Sequence, residues 1–176
     1  MKDLSMHIMD ILQNSTRAGA TKIELTVEEN KAKDTLNLIF KDNGSGMDEA
    51  TLKKVLNPFF TTRTTRKVGL GLSLLKQNAE MTGGSLTIES QLKRGTVVTA
   101  VFGLTHWDRP PMGDLAGTVV LTASAYPDIR FIFHYKTDRI DYLFDTDEVK
   151  EVLDGVSIQD PEVIAYLKEM ISENIN

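Results

Sequence analysis

The chain has 176 residues, enough for one well-buried domain with a modest appendage and too few for a large multidomain machine. Its 41% apolar and 26% charged content is that of an ordinary globular protein, and the lack of any cysteine excludes disulfide frameworks, thiolate catalysis and cysteine-held metals. The net charge of −5 is unevenly spread: residues 145–176 carry nine acidic and two basic side chains, a net −7 that repels polyanions, so nucleic acid is not an expected partner.

The opening MKDLSMHIMD has charges where a signal peptide needs its apolar core, and no stretch reaches the roughly 20 apolar residues of a membrane span, so a cytoplasmic protein without membrane association is expected. From Leu4 to Ala18 the positions Leu4, Ile8, Ile11, Leu12 and Ser15 follow helical spacing, with Asp3 as the cap and Asp10 and Asn14 off the apolar stripe. Gly19 closes that helix. Lys22 to Val27 and Thr35 to Lys41 alternate as half-buried strands joined by a hairpin turn. Asp42-Asn43-Gly44-Ser45-Gly46-Met47 breaks the strand pattern, and Asp48 caps a short helix through Leu56. Residues 57–68 read as a mobile basic loop, and helical spacing returns from Leu70 to Met81 before Gly83-Gly84. Ser85 to Ser90 and Thr96 to Phe102 are two further strands.

The Pro- and Gly-rich stretch 105–117 reads as a connection. Beyond it, Thr118 to Ala125, Arg130 to Tyr135 and Arg139 to Phe144 are expected as strands, then helices over Asp147 to Leu153 and Pro161 to about Ser172. These last strands either extend the main sheet or build a small subdomain. The scattered His7, His106 and His134 offer no transition-metal spacing.

Each chemically suggestive motif has an ordinary explanation by itself: Asp10 and Asn14 as a solvated helix face, DNGSGM as a turn, GLGLSL as a helix start. Four such motifs in this order within about a hundred residues resemble the Bergerat (GHKL) ATPase superfamily, most closely the histidine kinase-like ATPase domain, over roughly Leu4 to Phe102. The resemblance implies an α+β fold, a two-layer α/β sandwich whose mixed, mostly antiparallel sheet is covered on one face by helices. With the connection at 105–117, the expected division is an ATPase domain at 1–104 and, at 118–176, an α+β extension of unknown role outside the resemblance. The resemblance also implies ATP and Mg²⁺ as cofactors. Asn14 would ligate the metal through its amide oxygen, and Asp10, four residues earlier on the same helix face, would orient or deprotonate water at the γ-phosphate. Hydrolysing members usually carry glutamate where Asp10 stands, which puts its reach in question.

By the same resemblance Asp42 accepts from the adenine amino group, an acceptor-only contact that favours ATP over GTP, while Gly44, Gly46 and Met47 lie against the base. Gly69, Leu70, Gly71 and Leu72 form the phosphate cradle at a helix start. Arg63, Arg66 and Lys67 are either an exposed basic loop or direct phosphate contacts, on a segment that resembles a nucleotide lid. Thr96, in Arg94-Gly95-Thr96, supports the aspartate. Few residues precede the first motif, so the phosphoacceptor hairpin of a sensor kinase is not expected here. Nothing after Phe102 resembles the second domain of gyrase or mismatch-repair ATPases. The expected function is a stand-alone ATP-dependent protein kinase or ATPase in signalling, acting with a protein partner. The alternatives are a non-catalytic, nucleotide-gated partner-binding module and, more remotely, a repair-like ATPase clamp.

Overall fold

The computed structural model describes residues 2–57 and 66–176, with the backbone alone over 66–70. Helix α1 (Leu4–Arg17) is followed by β1 (Lys22–Asn30), β2 (Thr35–Asp42), α2 (Glu49–Val55) and α3 (Arg66–Met81). Then come β3 (Ser85–Gln91), β4 (Gly95–Gly103), α4 (Leu115–Ala125), β5 (Arg130–Lys136), β6 (Asp141–Asp145), α5 (Thr146–Leu153) and α6 (Pro161–Ile175).

The six strands form one sheet in the order β3-β4-β2-β1-β5-β6, antiparallel throughout except for the parallel pair β1/β5. Burial alternates along the strands. Ile23, Leu25 and Val27 of β1, Leu36, Leu38 and Phe40 of β2, and Phe131 and Phe133 of β5 are buried, and the register sets them on one face. Onto that face pack Leu4, Ile8 and Leu12 of α1, Leu75 and Ala79 of α3, Val119 and Ala123 of α4, and Leu167 and Ile171 of α6, all in one apolar cluster. The intervening strand positions, such as Glu24, Thr26, Asn37 and Thr99, are only partly buried, so the fold is the expected two-layer sandwich with a single covered face. No helix among the described residues is long and apolar enough to cross a membrane.

The strands left open by the sequence extend the main sheet. β5 lies beside β1, and α4 packs on α1, so residues beyond 117 share the core of those before 104. Thr118 to Ala125 departs from expectation, because it is helix rather than strand. Its β-branched, apolar run has no alternation to mark one wet face, and eight of the eleven residues of α4 are buried. That is the composition of a helix enclosed on most sides, in which packing overrides local propensity. Its start carries a recognisable cap: the Asp114 carboxylate accepts from the Gly117 amide at 2.9 Å, inside the stretch expected as a plain connection.

That connection also positions α1. The amides of Leu4 and Ser5 donate to the carbonyls of Pro111 and Met112, both at 2.9 Å, and Asp3 accepts from the Met6 amide at 2.9 Å. Of the first-turn amides, which have no partner inside a helix, two are thereby satisfied by residues more than a hundred positions away and a third by the neighbouring cap. The other departure concerns α3. Helix is already present at Arg66, so Gly69 and Gly71 sit inside its first two turns rather than ahead of them.

Candidate nucleotide site

The site grows from the end of β2. Asp42 faces Ile23 of β1 and Thr96 of β4 in register, and its carboxylate is held on both oxygens: Ser15 Oγ donates at 2.7 Å and the Gly44 amide at 2.9 Å. Asn43 anchors the turn to β1, accepting from the amides of Thr21 and Lys22 at 2.8 and 2.9 Å and donating to Thr21 Oγ1 at 2.8 Å. The Ser45 amide donates to the Ala18 carbonyl at 2.8 Å, which fixes the loop to the end of α1. Gly46 has φ +67°, and a Cβ there would overlap the carbonyl of Gln91; only glycine suits both the conformation and the space. On the far side the Met47 amide donates to Ser90 Oγ at 2.8 Å.

These contacts frame a cavity of about 250 Å³. Asn14, Ser15, Asp42, Gly46, Met47 and Thr96 line it, with Ile11, Phe40, Val55, Leu72 and Val98 as apolar walls. It is smaller than the roughly 300–1,000 Å³ that encloses a whole small ligand, and its slot of apolar walls ending on a carboxylate suits a flat heterocycle with a donor at its rim. A wider groove of about 550 Å³ lies between α1, α4 and α6. Its acidic groups are already committed, Asp3 and Asp114 as caps and Asp114 also to Lys168 at 3.1 Å, so it has no comparable convergence.

Asn14 is the telling side chain. Both its amide atoms are buried and neither has a hydrogen-bond partner among the described residues, a condition that costs roughly 1–3 kcal/mol when nothing relieves it. An unsatisfied amide oxygen at the wall of a cavity is a hard donor ready for a hard cation, so the residues present fit a magnesium ion. Asp10 lies one turn earlier on α1, where α3 crosses it; a Cβ on Gly71 would overlap the Asp10 carboxylate, so glycine allows the two helices to meet there. Farther along the same contact, Asn78 of α3 hydrogen-bonds His7 Nε2 at 2.8 Å. His7 is buried, which lowers its pKa from the ordinary 6.5; the nearby N-terminal charge adds to this and Asp3 opposes it.

The structure therefore gathers Asn14, Asp42, Gly46, Met47, Leu72 and Thr96 around one cavity and sets Gly44 behind Asp42. Asp10 and Gly71 meet beside it without being among the described lining residues. Gly69, Leu70 and Lys67 begin α3, their side chains lying outside the described residues, as does Arg63 entirely. The Thr96 hydroxyl is 2.8 Å from Ser90 Oγ, and the side chain that grips Asp42 is Ser15. In the sequence Ser15 is no more than one position of a helix stripe. Arg17, three residues beyond Asn14, also lines the cavity and had helical spacing as its available signal.

A one-face-covered mixed sheet, with the cavity between its strand ends and α1, is the Bergerat type of ATPase domain. Residues 2–106 match the histidine kinase-, DNA gyrase B- and HSP90-like ATPases, and the chain belongs to that family. It is 34% identical over 109 residues to a sensor protein of Shewanella frigidimarina, covering 61% of this chain and 17% of that one. It is 31% identical over 97 residues to the sensor histidine kinase YvrG of Bacillus subtilis, covering 53% and 17%. The chain thus spans less than a fifth of the length of these relatives. Among solved structures, the N-terminal domain of a DNA repair protein superposes with a TM-score of 0.57 at 14% identity, over 82% of this chain and 52% of that one. At that identity the likeness is one of fold, and its span carries it past residue 106.

Proposed function

We propose that this chain binds ATP with magnesium in the Asn14/Asp42 cavity and uses it as a protein kinase or ATPase in signalling, together with a protein partner. The observation that supports this best is the buried, unpartnered Asn14 amide in the same cavity as the doubly held Asp42 carboxylate. Asp42 receives the adenine amino group, Met47 and Leu72 enclose the base, and Asn14 holds the metal. When bound, magnesium neutralises the phosphate oxygens and orients them. Arg17, which lines the cavity, and the helix N-terminus at the start of α3 serve the anionic part of the nucleotide. Asp10 acts as the base or orienting group for the molecule that receives the γ-phosphoryl group.

The test is calorimetric titration of the full chain with Mg·ATP, followed by incubation with γ-labelled ATP. Asp42→Asn is expected to lower affinity by about a hundredfold, the scale of a charge-assisted hydrogen bond, while leaving thermal unfolding intact. Asp10→Asn is expected to bind as the parent does and to lose release or transfer of label. Unchanged affinity in the first variant would contradict the cavity assignment, and unchanged turnover in the second the role of Asp10. A nucleotide-gated module without turnover is the second reading. The short acid at position 10, pressed against Gly71, favours it, and a wild-type protein that binds ATP but releases no label in any pairing would select it.

A further inference from the structure

Ser90, Thr96 and Asp42 stand in register across β3, β4 and β2 at the cavity end of the sheet. A serine hydroxyl has one hydrogen to give and two lone pairs with which to receive. The Gly95 carbonyl, 3.0 Å from Ser90 Oγ, can only accept and therefore takes the hydrogen. The Met47 amide, at 2.8 Å, can only donate and occupies one lone pair. The remaining neighbour is Thr96 Oγ1 at 2.8 Å, and the arrangement that satisfies every atom has the Thr96 hydroxyl donating to Ser90. Thr96 then has no hydrogen left for the cavity it lines and shows the cavity only lone pairs.

We infer that Ser90, which is not among the described lining residues, is a specificity-positioning residue: it fixes the Thr96 hydroxyl as an acceptor, so the cavity selects a ring edge bearing an amino group and rejects one bearing a carbonyl. The inference rests on the nucleotide reading above and adds to it. Asp42 alone disfavours a carbonyl at that edge, yet a freely turning hydroxyl next to it would undo the discrimination by donating to the same carbonyl. Ser90 removes that option by saturating the hydroxyl from behind. The ligand pair that separates these cases is adenine against hypoxanthine, which differ at the 6-position by amino against carbonyl.

The experiment compares affinities of the full chain for Mg·ATP and Mg·ITP in the wild type, Ser90→Ala, Ser90→Thr and Thr96→Val. Ser90→Ala is expected to narrow the preference for ATP by about tenfold, chiefly through tighter ITP binding, because Thr96 regains a hydrogen to donate. Ser90→Thr, which keeps the hydroxyl, is expected to restore the preference. Thr96→Val keeps the volume and removes the acceptor; it is expected to weaken ATP while leaving ITP unchanged, and it decides the matter if Ser90→Ala does not fold. A merely structural role for Ser90, loosening the loop at Met47, would weaken both nucleotides equally and leave their ratio where it was. That result, or an unchanged ratio in Thr96→Val, overturns the inference while the nucleotide assignment stands. A wild type that binds neither nucleotide overturns both.

Discussion

At the scale of single residues, the groups of the site differ in how far their neighbours hold them. Asp42 and Asn43 are held by neighbours, whereas the Asn14 amide has no hydrogen-bond partner among the described residues. His7 belongs to the same helix contact and gives a pH signature. Its folded pKa lies below 6.5, so the unfolded chain takes up a proton first as pH falls. The stabilisation is complete above about 6.5 and is lost as pH falls from there toward the lowered folded value, with a slope of at most about 1.4 kcal/mol per pH unit. His7→Gln, which retains an amide for Asn78, is expected to flatten that slope in urea titrations just below pH 6.5. An equal slope in both proteins would show that another group titrates. That Asp42, Asn14 and Gly46 would meet at one cavity was legible through the resemblance of their ordered motifs to the Bergerat ATPases. Ser15 and Ser90 were not, since a serine on a helix stripe or at a strand end announces nothing until its partner is in view.

At the scale of elements, strands β1 to β4 and helix α1 were legible because alternation and helical spacing are strong where one face is wet and the other dry. Helix α4 was not, since a segment buried on most sides loses the periodicity that distinguishes helix from strand. What signalled it was Asp114 three residues before Gly117. The same carboxylate meets Lys168 of α6, so it caps one helix and ties it to another. Asp114→Ala is expected to cost about 0.5–2 kcal/mol, nearly all from the cap, because the ion pair is exposed and contributes little. Denaturant midpoints of Asp114→Ala and Lys168→Ala check this: the lysine variant is expected within about 0.5 kcal/mol of wild type, and a loss as large as that of the aspartate variant would assign the stability to the pair instead.

At the scale of the whole molecule, the family match ends at residue 106, yet the core does not. Removing residues 107–176 uncovers one side of β1, strips α4 from α1 and takes away the carbonyls of Pro111 and Met112 that satisfy the start of the helix bearing Asp10 and Asn14. The fragment 1–106 is therefore expected to aggregate or to lack a cooperative thermal transition, as read by circular dichroism and size exclusion. A monomeric, cooperatively folding fragment that binds ATP like the full chain would show that the later residues are dispensable.

The pairing of β1 with β5 has a further consequence during synthesis. Leu25 meets Phe40 across only fifteen residues of chain, but its other neighbour, Phe133, leaves the ribosome more than a hundred residues later. At translation rates of about 5–20 residues per second, that is a delay of roughly 5–20 s. For roughly the last 2–7 s of that interval, after Val98 has emerged, a nascent chain carrying every lining residue of the cavity still lacks the strand that pairs with the far side of β1, and chaperones have their opportunity then.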